Sequence, residues 1–373
     1  MKKLRHRVLF RYSSHQIDTG SPKALLAIID LLKDSHYEAC YLATGKGPLI
    51  DQLLKRKIEI SFGDVEELSI KSPVFMLKRI MYWRKRLREL DISLLHMNEF
   101  GWSQDVVISA WSLGIPVILH CHNPSAISPN NLNRFAAKKI LTVSKNQLNA
   151  MENVSLIRDR CDVLHNTLDP NKFASGHSIR ESLGISDKNI VIGTIAQICH
   201  RKGVDIFIET AKKLFRTNNN LHFLIIGPTG KGEEEFAQAL YLSIKDNELK
   251  HNIHFLGSRS DIPNLLASMD IFFLPTRAEP FGMVVTEAMA AGLPVVASMV
   301  GGIPEIINSK EIGVLVKEIN AESFSREIQT ILNSDDVGRG IGKKGQESLI
   351  SRFDCSTIRK KLVGIYDDLL GIK

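Results

Sequence analysis

Two carboxylates stand eight residues apart in the stretch DIFFLPTRAEPFGMVVTEAMAAGLPVVASMVGGIPE, at Glu279 and Glu287. Gly282 lies between them, and a helical pattern runs from Met283 to Ala291. The first amides of a helix have no intrahelical acceptor, and the aligned peptide dipoles add partial positive charge there. The N–H groups of Gly282, Met283 and Val284 therefore offer a site that a pyrophosphate would fit. Glu279 comes just before this helix and Glu287 about one turn inside it. Each would reach hydroxyls on one side of a bound diphosphate, which suits a sugar at one end and a ribose at the other. Taken singly, Glu279 would be a solvated loop residue and Glu287 a helix former. The two together, around an anion site, point to chemistry.

These residues need elements to hold them. Gly292 suits the position just past the helix end, and Pro294 prevents its continuation. The next strand, PVVAS, leads into a second glycine-containing loop, VGGIPE. Short apolar runs of the same kind recur along the chain. VLF (8–10), ISLLH (92–96), PVILHC (116–121) and KKILTVS (138–144) read as strands in the first half. IVIGTIAQ (190–197), LHFLIIG (221–227), NIHFLG (252–257), DIFFLPT (270–276) and PVVAS (294–298) read as strands in the second. Several are apolar throughout, as strands buried on both faces of a parallel sheet are. Helical stretches lie between them, so the class is α/β with parallel sheets.

The polar segment HNTLDPNKFASGHS, around 165–175, suits a linker. It sets domains at 1–168 and 169–352, each long enough for one doubly wound sheet. A helix over 353–373 follows, with Ile358, Leu362, Ile365 and Leu369 at helical spacing. In open α/β sheets, ligands sit outside the carboxyl ends of the strands, which directs attention to the loop after each one.

The segment EPFGMVVTEAMAAGLPVVAS closely resembles the E-x7-E signature of the retaining glycosyltransferases of GT-B fold, the large family four. The similarity extends over most of the second domain, through HRKG (200–203), FLIIG (223–227), HFLGSRSDI (254–262), MDIFFLPT (269–276) and GGIPEII (301–307). VLHNTLD (163–169) looks like the segment by which the family enters that domain. The resemblance is specific in the second half and weak in the first. It implies two Rossmann-like domains facing a cleft, with the C-terminal helix packing back on the first. It implies a nucleotide-sugar donor in the second domain and an acceptor in the first.

Carried over residue by residue, the resemblance makes Glu279 a ligand of the donor sugar and Glu287 a ligand of the ribose. Phe281, Gly282, Met283 and Val284 would offer backbone groups to the sugar and diphosphate. Lys202 would neutralise the diphosphate and serve with Glu279 as the catalytic pair, with Arg201 beside it. Gly227 belongs to the same donor loops. Gly257 and Arg259 follow the strand where the family holds the base largely through its backbone. Where the family often has an Arg five residues before the Lys, this chain has Gln197. A neutral amide binds phosphate more weakly than a charged donor.

In the first half, Ser21 and Pro22 suit a helix start after the first strand, and Gly20 allows close backbone approach. The family has a glycine-containing loop at this place, near the donor phosphates and the acceptor, so the resemblance makes Gly20 a donor-binding residue. HMNEF (96–100) carries His96, Asn98 and Glu99, with Asn98 where many relatives have a second His. His120 and His122 follow in HCHNP. We expect these five to line the acceptor side. No carboxylate–His spacing of a metal site accompanies them, so no metal is expected.

The segment LKRIMYWRKRLREL (77–90) has six basic residues and one acid, Glu89. Leu77, Ile80, Leu87 and Leu90 form its expected inner face. Residues 1–165 hold 24 basic and 16 acidic side chains and carry essentially all of the chain's net charge of +7. A basic helix with interleaved Tyr82 and Trp83 suits an anionic membrane surface, the other reading being a solvated surface helix. No helix-turn-helix, zinc or RNA-binding signature supports a nucleic-acid partner.

Composition narrows the remaining classes. With 44% hydrophobic and 24% charged residues, disordered, collagenous and coiled-coil chains are excluded. No apolar run reaches the length of a spanning helix. The basic start MKKLRHRVLF has no apolar core behind it, as a secretory signal would. Five scattered cysteines without C-x-x-C spacing indicate neither a disulfide framework nor a zinc site. A cytoplasmic protein, peripheral at most on the inner face of the membrane, is the expectation. GPTGKGEEE lacks the spacing of a phosphate loop, and no G-x-G-x-x-G or G-x-S-x-G is present.

The sequence thus leads to a retaining hexosyltransferase. It would use a nucleotide diphosphate sugar, UDP in preference to GDP, and a carbohydrate or lipid-linked acceptor in surface polysaccharide or glycolipid synthesis, without a cofactor. Two alternatives stay open: another nucleotide-sugar enzyme of the same fold, such as an epimerase, and a non-catalytic binding subunit.

Overall fold

The structure is a computed structural model and describes residues 5–17, 20–33, 35–68, 72–99, 103–122, 132–151, 157–245 and 248–372. The chain divides into two compact units, Met1–Thr167 with Cys355–Lys373, and Leu168–Asp354.

Unit 1 is built on a seven-stranded parallel sheet. In chain order its strands are β1 (His6–Arg11), β2 (Tyr37–Ala43), β3 (Glu59–Phe62), β4 (Ile92–Met97), β5 (Val117–Cys121), β6 (Lys139–Thr142) and β7 (Cys161–Val163). Their spatial order is β3-β2-β1-β4-β5-β6-β7. The helices are α1 (Gly20–Leu31), α2 (Pro48–Lys55), α3 (Pro73–Glu89), α4 (Gln104–Ser112), α5 (Leu132–Ala136) and α6 (Lys145–Asn149). Successive side chains of a strand point to opposite faces, so β1 serves two cores. Val8 and Phe10 pack with Leu25 and Ile29 of α1. Leu9 packs on the other face with Trp83 of α3, Val106, Val107 and Ala110 of α4, and Ala136 of α5.

Unit 2 has a six-stranded parallel sheet of order β10-β9-β8-β11-β12-β13. Its strands are β8 (Ile190–Ile195), β9 (Leu221–Ile226), β10 (Ile253–Gly257), β11 (Ile271–Leu274), β12 (Val295–Ser298) and β13 (Val314–Val316). Its helices are α7 (Pro170–Ala174), α8 (Val204–Phe215), α9 (Glu234–Lys245), α10 (Ile262–Ala267), α11 (Met283–Ala290), α12 (Ile303–Ile306), α13 (Ala321–Leu332) and α14 (Asp335–Phe353). The last helix, α15 (Cys355–Leu370), belongs to unit 1, where Ile358, Leu362, Ile365 and Tyr366 join the α1 core.

Four strands lie outside the sequence-based expectation: β2, β3, β7 and β13. Three of them have only three or four residues, and β3, β7 and β13 are edge strands with partly exposed side chains. β2 places Glu38 on an exposed position, which interrupts the apolar run.

The inner face of α3 also differs from its expected set. Leu77 is exposed at 58%, while Trp83 and Leu87 are fully buried. The reason is Asp105, a buried carboxylate at the start of α4. It accepts hydrogen bonds from Trp83 Nε1 at 3.0 Å and from Arg79 Nη2 at 2.7 Å and Nε at 3.0 Å. It also accepts from the backbone amide of Glu66 at 3.1 Å. A buried carboxylate is tolerated when its lone pairs are filled, and these partners turn the helix so that Trp83 faces inward. Gly63 lies against that ring, where an added Cβ would meet Trp83 Cη2 at 2.8 Å. Trp83→Ala removes the ring and one of the bonds to Asp105. Its expected cost is about 3–5 kcal/mol, measured by urea unfolding of the variant.

Candidate functional site

The sheet of unit 2 changes its direction of growth at β8. β9 and β10 extend it on one side, and β11, β12 and β13 on the other. In open α/β sheets such a reversal marks the usual ligand position, at the carboxyl ends of the strands on either side of it, here β8 and β11. The segment HRKG follows β8, and TRAEPFG follows β11.

Hydrogen bonds lace these two loops together. The Arg277 amide donates to the Arg201 carbonyl at 2.8 Å, and Thr276 Oγ1 donates to the same carbonyl at 3.1 Å. Arg201 Nη1 donates to the Ala278 carbonyl at 3.2 Å. The Arg277 guanidinium forks onto Asp205 at 2.8 and 2.6 Å and donates to the His200 carbonyl at 2.6 Å. Burial raises the Asp205 carboxyl, and the Arg277 fork more than offsets this, leaving it below the ordinary range. Such paired N–H···O bonds fix geometry as well as adding energy.

Two glycines let the loops approach. Gly203 has φ +71°, and a Cβ there would lie 1.9 Å from the Pro275 carbonyl oxygen. Gly301 has φ +57°, and its Cβ would lie 1.7 Å from the Glu279 carbonyl oxygen. The next amide, that of Gly302, donates to that same oxygen at 3.1 Å. The backbone of Glu279 is thus gripped from β12's loop, while its carboxylate pairs with the Lys202 ammonium. Both side chains are largely covered, with 14% of Lys202 and 11% of Glu279 exposed.

α11 starts at Gly282, whose φ of +112° turns the chain into the helix. The amides of Val285 and Thr286 already donate to the Gly282 carbonyl. Those of Gly282, Met283 and Val284 have no backbone acceptor among the described residues, the anion-binding condition at a helix start. Glu287 is buried, at 5% exposure, in the same helix. The Phe281 ring is committed to the core against Phe353, with centroids 5.8 Å apart, so this residue offers its backbone alone.

Three further expected residues end neighbouring strands. Gly227, with φ +145°, donates its amide to the Gly257 carbonyl at 2.8 Å. A Cβ on Gly227 would lie 2.0 Å from the Ala196 carbonyl oxygen, next to Gln197. The Gln197 side chain has no hydrogen-bond partner among the described residues. Arg259 is not joined to this group. Its guanidinium forks onto Asp261 in its own loop at 2.8 and 2.7 Å.

The first-half residues form a separate group at the carboxyl ends of β4 and β5 in unit 1. Asn98 Nδ2 donates to the Ser21 carbonyl at 3.2 Å, next to Gly20 at the start of α1. That orients the Asn98 amide, so its Oδ1 accepts from His122 Nε2 at 2.9 Å. The rings of His120, in β5, and His122, just past its end, lie with centroids 4.4 Å apart and planes tilted by 39°. His96 and His120 meet edge-on at 5.5 Å. His96 Nδ1 shares a hydrogen bond of 2.6 Å with the hydroxyl of Tyr366 in α15. Burial pushes the Glu99 carboxyl up, against a hydrogen bond from Ser13 and the field of Arg11.

Burial lowers His96 to about 3 and His122 to about 4, the latter also lowering His96. Burial, with both neighbouring histidines, lowers His120 as well. Unfolded histidine titrates near 6.5. The unfolded chain therefore binds more protons between those values, and stability falls as pH drops through this window. The melting temperature is expected to be flat above about pH 6.5 and to fall toward pH 4, and His122→Gln should flatten part of that fall.

The sequence did not single out Gly203, Asp205, Arg277, Gly301, Arg11 or Tyr366. The two glycines carried a signal, since each stands at a strand-loop junction beside a quoted motif. Arg277 and Asp205 lie far apart in sequence and look like ordinary surface charges. Arg11, buried at the end of β1 with guanidinium nitrogens Nε and Nη1 without a hydrogen-bond partner among the described residues, reads in the sequence only as the basic end of an apolar run.

Two doubly wound parallel sheets, one bearing a glycine-opened helix beside a Lys–Glu pair, define the GT-B class of glycosyltransferase fold. Two family models match the chain: Glycosyl transferases group 1 over residues 177–348, and Glycosyltransferase Family 4 over residues 26–172. The chain belongs to the group 1, family 4 glycosyltransferases. It is 27% identical over 250 residues to N-acetyl-alpha-D-glucosaminyl L-malate synthase of Bacillus anthracis, a match covering 65% of this chain and 64% of that one. It is 30% identical over 190 residues to the N,N'-diacetylbacillosaminyl-diphospho-undecaprenol alpha-1,3-N-acetylgalactosaminyltransferase of Campylobacter jejuni, covering 51% and 47%. In both cases the match spans less than two thirds of the relative's length. The crystal structure of Anabaena Alr3699/HepE in complex with UDP and glucose shares the fold, with TM-score 0.81, 22% identity and coverage of 97% and 100%. Among the described residues, no helix is long and apolar enough to cross a membrane.

Proposed function

We propose that this protein transfers a sugar from a nucleotide diphosphate donor, UDP in preference to GDP, to a carbohydrate or lipid-linked acceptor, with retention of configuration. The observation that carries it is the Lys202–Glu279 pair at the switch point of the unit 2 sheet, beside three free amides at the start of α11. Sugar hydroxyls donate to Glu279, ribose hydroxyls to Glu287, and the diphosphate lies on the amides with Lys202 against it. Gln197, Arg201, Gly227 and Gly257 complete the donor side, and Arg259 would reach it only on release from Asp261. His96, Asn98, Glu99, His120 and His122 serve the acceptor side. Transfer breaks the bond from the anomeric carbon to the phosphate oxygen and joins that carbon to an acceptor hydroxyl oxygen. Negative charge grows on the leaving diphosphate, where preorganised amides and the Lys202 ammonium are worth most. These fixed positive groups supply the stabilisation a metal would otherwise give. Retention and the preference for UDP rest on the family resemblance and on the UDP held by the Anabaena protein. The basic, aromatic first half suits an enzyme working peripherally at the cytoplasmic face of an anionic membrane, in surface polysaccharide or glycolipid synthesis.

The test is thermal shift against UDP, GDP, ADP and their sugars without added metal. A ligand at 100 times its dissociation constant adds about 2.7 kcal/mol of stability, a clear rise in melting temperature. A rise with one nucleotide class supports the reading. No rise with any of them turns the choice to a non-catalytic subunit. Product analysis then separates transfer from epimerisation, which needs no acceptor. Gly301→Ala probes the grip on Glu279. Its Cβ has no room, the Glu279 loop must move, and a misplacement of about 1 Å costs about 10²-fold in kcat/KM. Steady-state kinetics alongside melting curves would show whether the loss is one of position or of fold.

A further inference from the structure

α12 is four residues long and is tied at both ends to other parts of unit 2. At its start, Gly302 donates its amide to the Glu279 carbonyl at 3.1 Å, and Gly301 lies against the same oxygen. Ile303 and Ile306 are fully buried against Gly282, where an added Cβ would meet Ile306 Cδ1 at 3.3 Å and Ile303 Cγ1 at 3.4 Å. α12 therefore supports the Glu279 loop through a hydrogen bond and the opening of α11 through packing. So short a helix does not hold itself in place. It has few bonds of its own, and its last carbonyls have no intrahelical donor.

Arg352, near the end of α14, supplies those donors. Its Nη1 donates to the Ile306 carbonyl at 2.9 Å, and its Nη2 donates to the Glu305 carbonyl. The guanidinium lies 4.8 Å from the centroid of the Phe353 ring. That ring meets Phe281, two residues after Glu279 in the chain. Burial lowers Arg352, and no carboxylate among the described residues offsets this. The charge is spent on two backbone carbonyls instead. A planar fork with two donors fixes the direction of what it holds, which a single ammonium does not.

We propose that Arg352 is a positioning residue for sugar transfer: by clamping the last carbonyls of α12, it holds in register the backbone that fixes Glu279. The inference rests on the reading of Glu279 as the ligand of the donor sugar. It adds a residue that touches neither donor nor acceptor and acts through another. Its loss falls on the sugar, because the hydrogen bond from α12 ends on Glu279.

The experiment is a double-mutant cycle between Arg352 and Glu279, read by calorimetric titration. The probes are UDP and either UDP-glucose or whichever UDP-sugar raises the melting temperature most. Arg352→Met keeps an apolar stem over Phe353 and removes both donors. It is expected to lower affinity for the UDP-sugar about tenfold, since hydrogen bonds to a charged group are worth at least that much, and to leave UDP affinity near the parent's. Arg352→Lys, which reaches one carbonyl at a time, should fall between. In the Glu279→Ala background, Arg352→Met should add less than about twofold, because nothing is left to position. Losses that multiply in the double variant would make Arg352 merely structural and overturn the proposal, as would parent-like UDP-sugar affinity in Arg352→Met. Melting curves verify folding, and Arg352→Lys carries the same cycle if Arg352→Met does not fold. A parent protein with no extra affinity for any UDP-sugar over UDP overturns the transfer reading and the proposal together, before any variant is made.

Discussion

Replacing Glu279 with alanine is expected to lower kcat/KM for sugar transfer by about 10²- to 10³-fold, with the fold intact. The carboxylate is held from two sides, by Lys202 at its oxygen and by Gly301 and Gly302 at its backbone. A group so positioned loses no freedom when the sugar arrives, which makes its hydrogen bonds effective in the transition state. Loss of one preorganised group of this kind costs about that factor. The melting temperature should fall while the fold survives, because Lys202 loses a largely covered partner but keeps 14% of its side chain exposed and can reach water. Glu279→Gln keeps the volume and one acceptor oxygen, so it should fall between the variant and the parent. Steady-state kinetics with a matched melting curve checks this, and near-normal turnover by Glu279→Ala contradicts it.

Lys202→Ala has a different expected signature. The ammonium meets the diphosphate, which every donor of the class shares, so the loss should appear already with UDP alone. A hydrogen bond to a charged group is worth about 1.5–3 kcal/mol, or roughly 10- to 150-fold in the dissociation constant. Removing Lys202 also leaves the Glu279 carboxylate uncompensated beside an incoming anion, which adds like-charge repulsion to the lost contact. Lys202→Met, which retains the length of the stem without its charge, should behave in the same way. Calorimetric titration of UDP into each variant measures the effect. Binding by Lys202→Ala at the parent's affinity would place the diphosphate elsewhere.

The parallel strands of unit 2 and the carboxylate pair were legible because they are local. β11 and β12 are apolar on both faces, and Glu279, Gly282 and Glu287 lie within nine residues of one another. What holds Glu279 is not local. Gly301 is 22 residues further on, and Lys202 is 77 residues before it. Glycine at a close approach looks in sequence like glycine in any turn. α3 shows the opposite failure. Its periodicity admits more than one inner face, and the face is chosen by Asp105, which belongs to another helix. The tie from Tyr366 to His96 spans 270 residues, so no pattern along the chain could have revealed it.

The central claim is that unit 2 holds a sugar nucleotide with its diphosphate at Lys202 and its sugar at Glu279. The most direct measurement is a four-way calorimetric comparison. UDP and the UDP-sugar selected by thermal shift are each titrated, without metal, into the parent protein and into Glu279→Ala. Similar UDP affinity in the two proteins is predicted, with the extra affinity for the sugar nucleotide lost in the variant. Equal losses for UDP and UDP-sugar, or no loss for either, would contradict it.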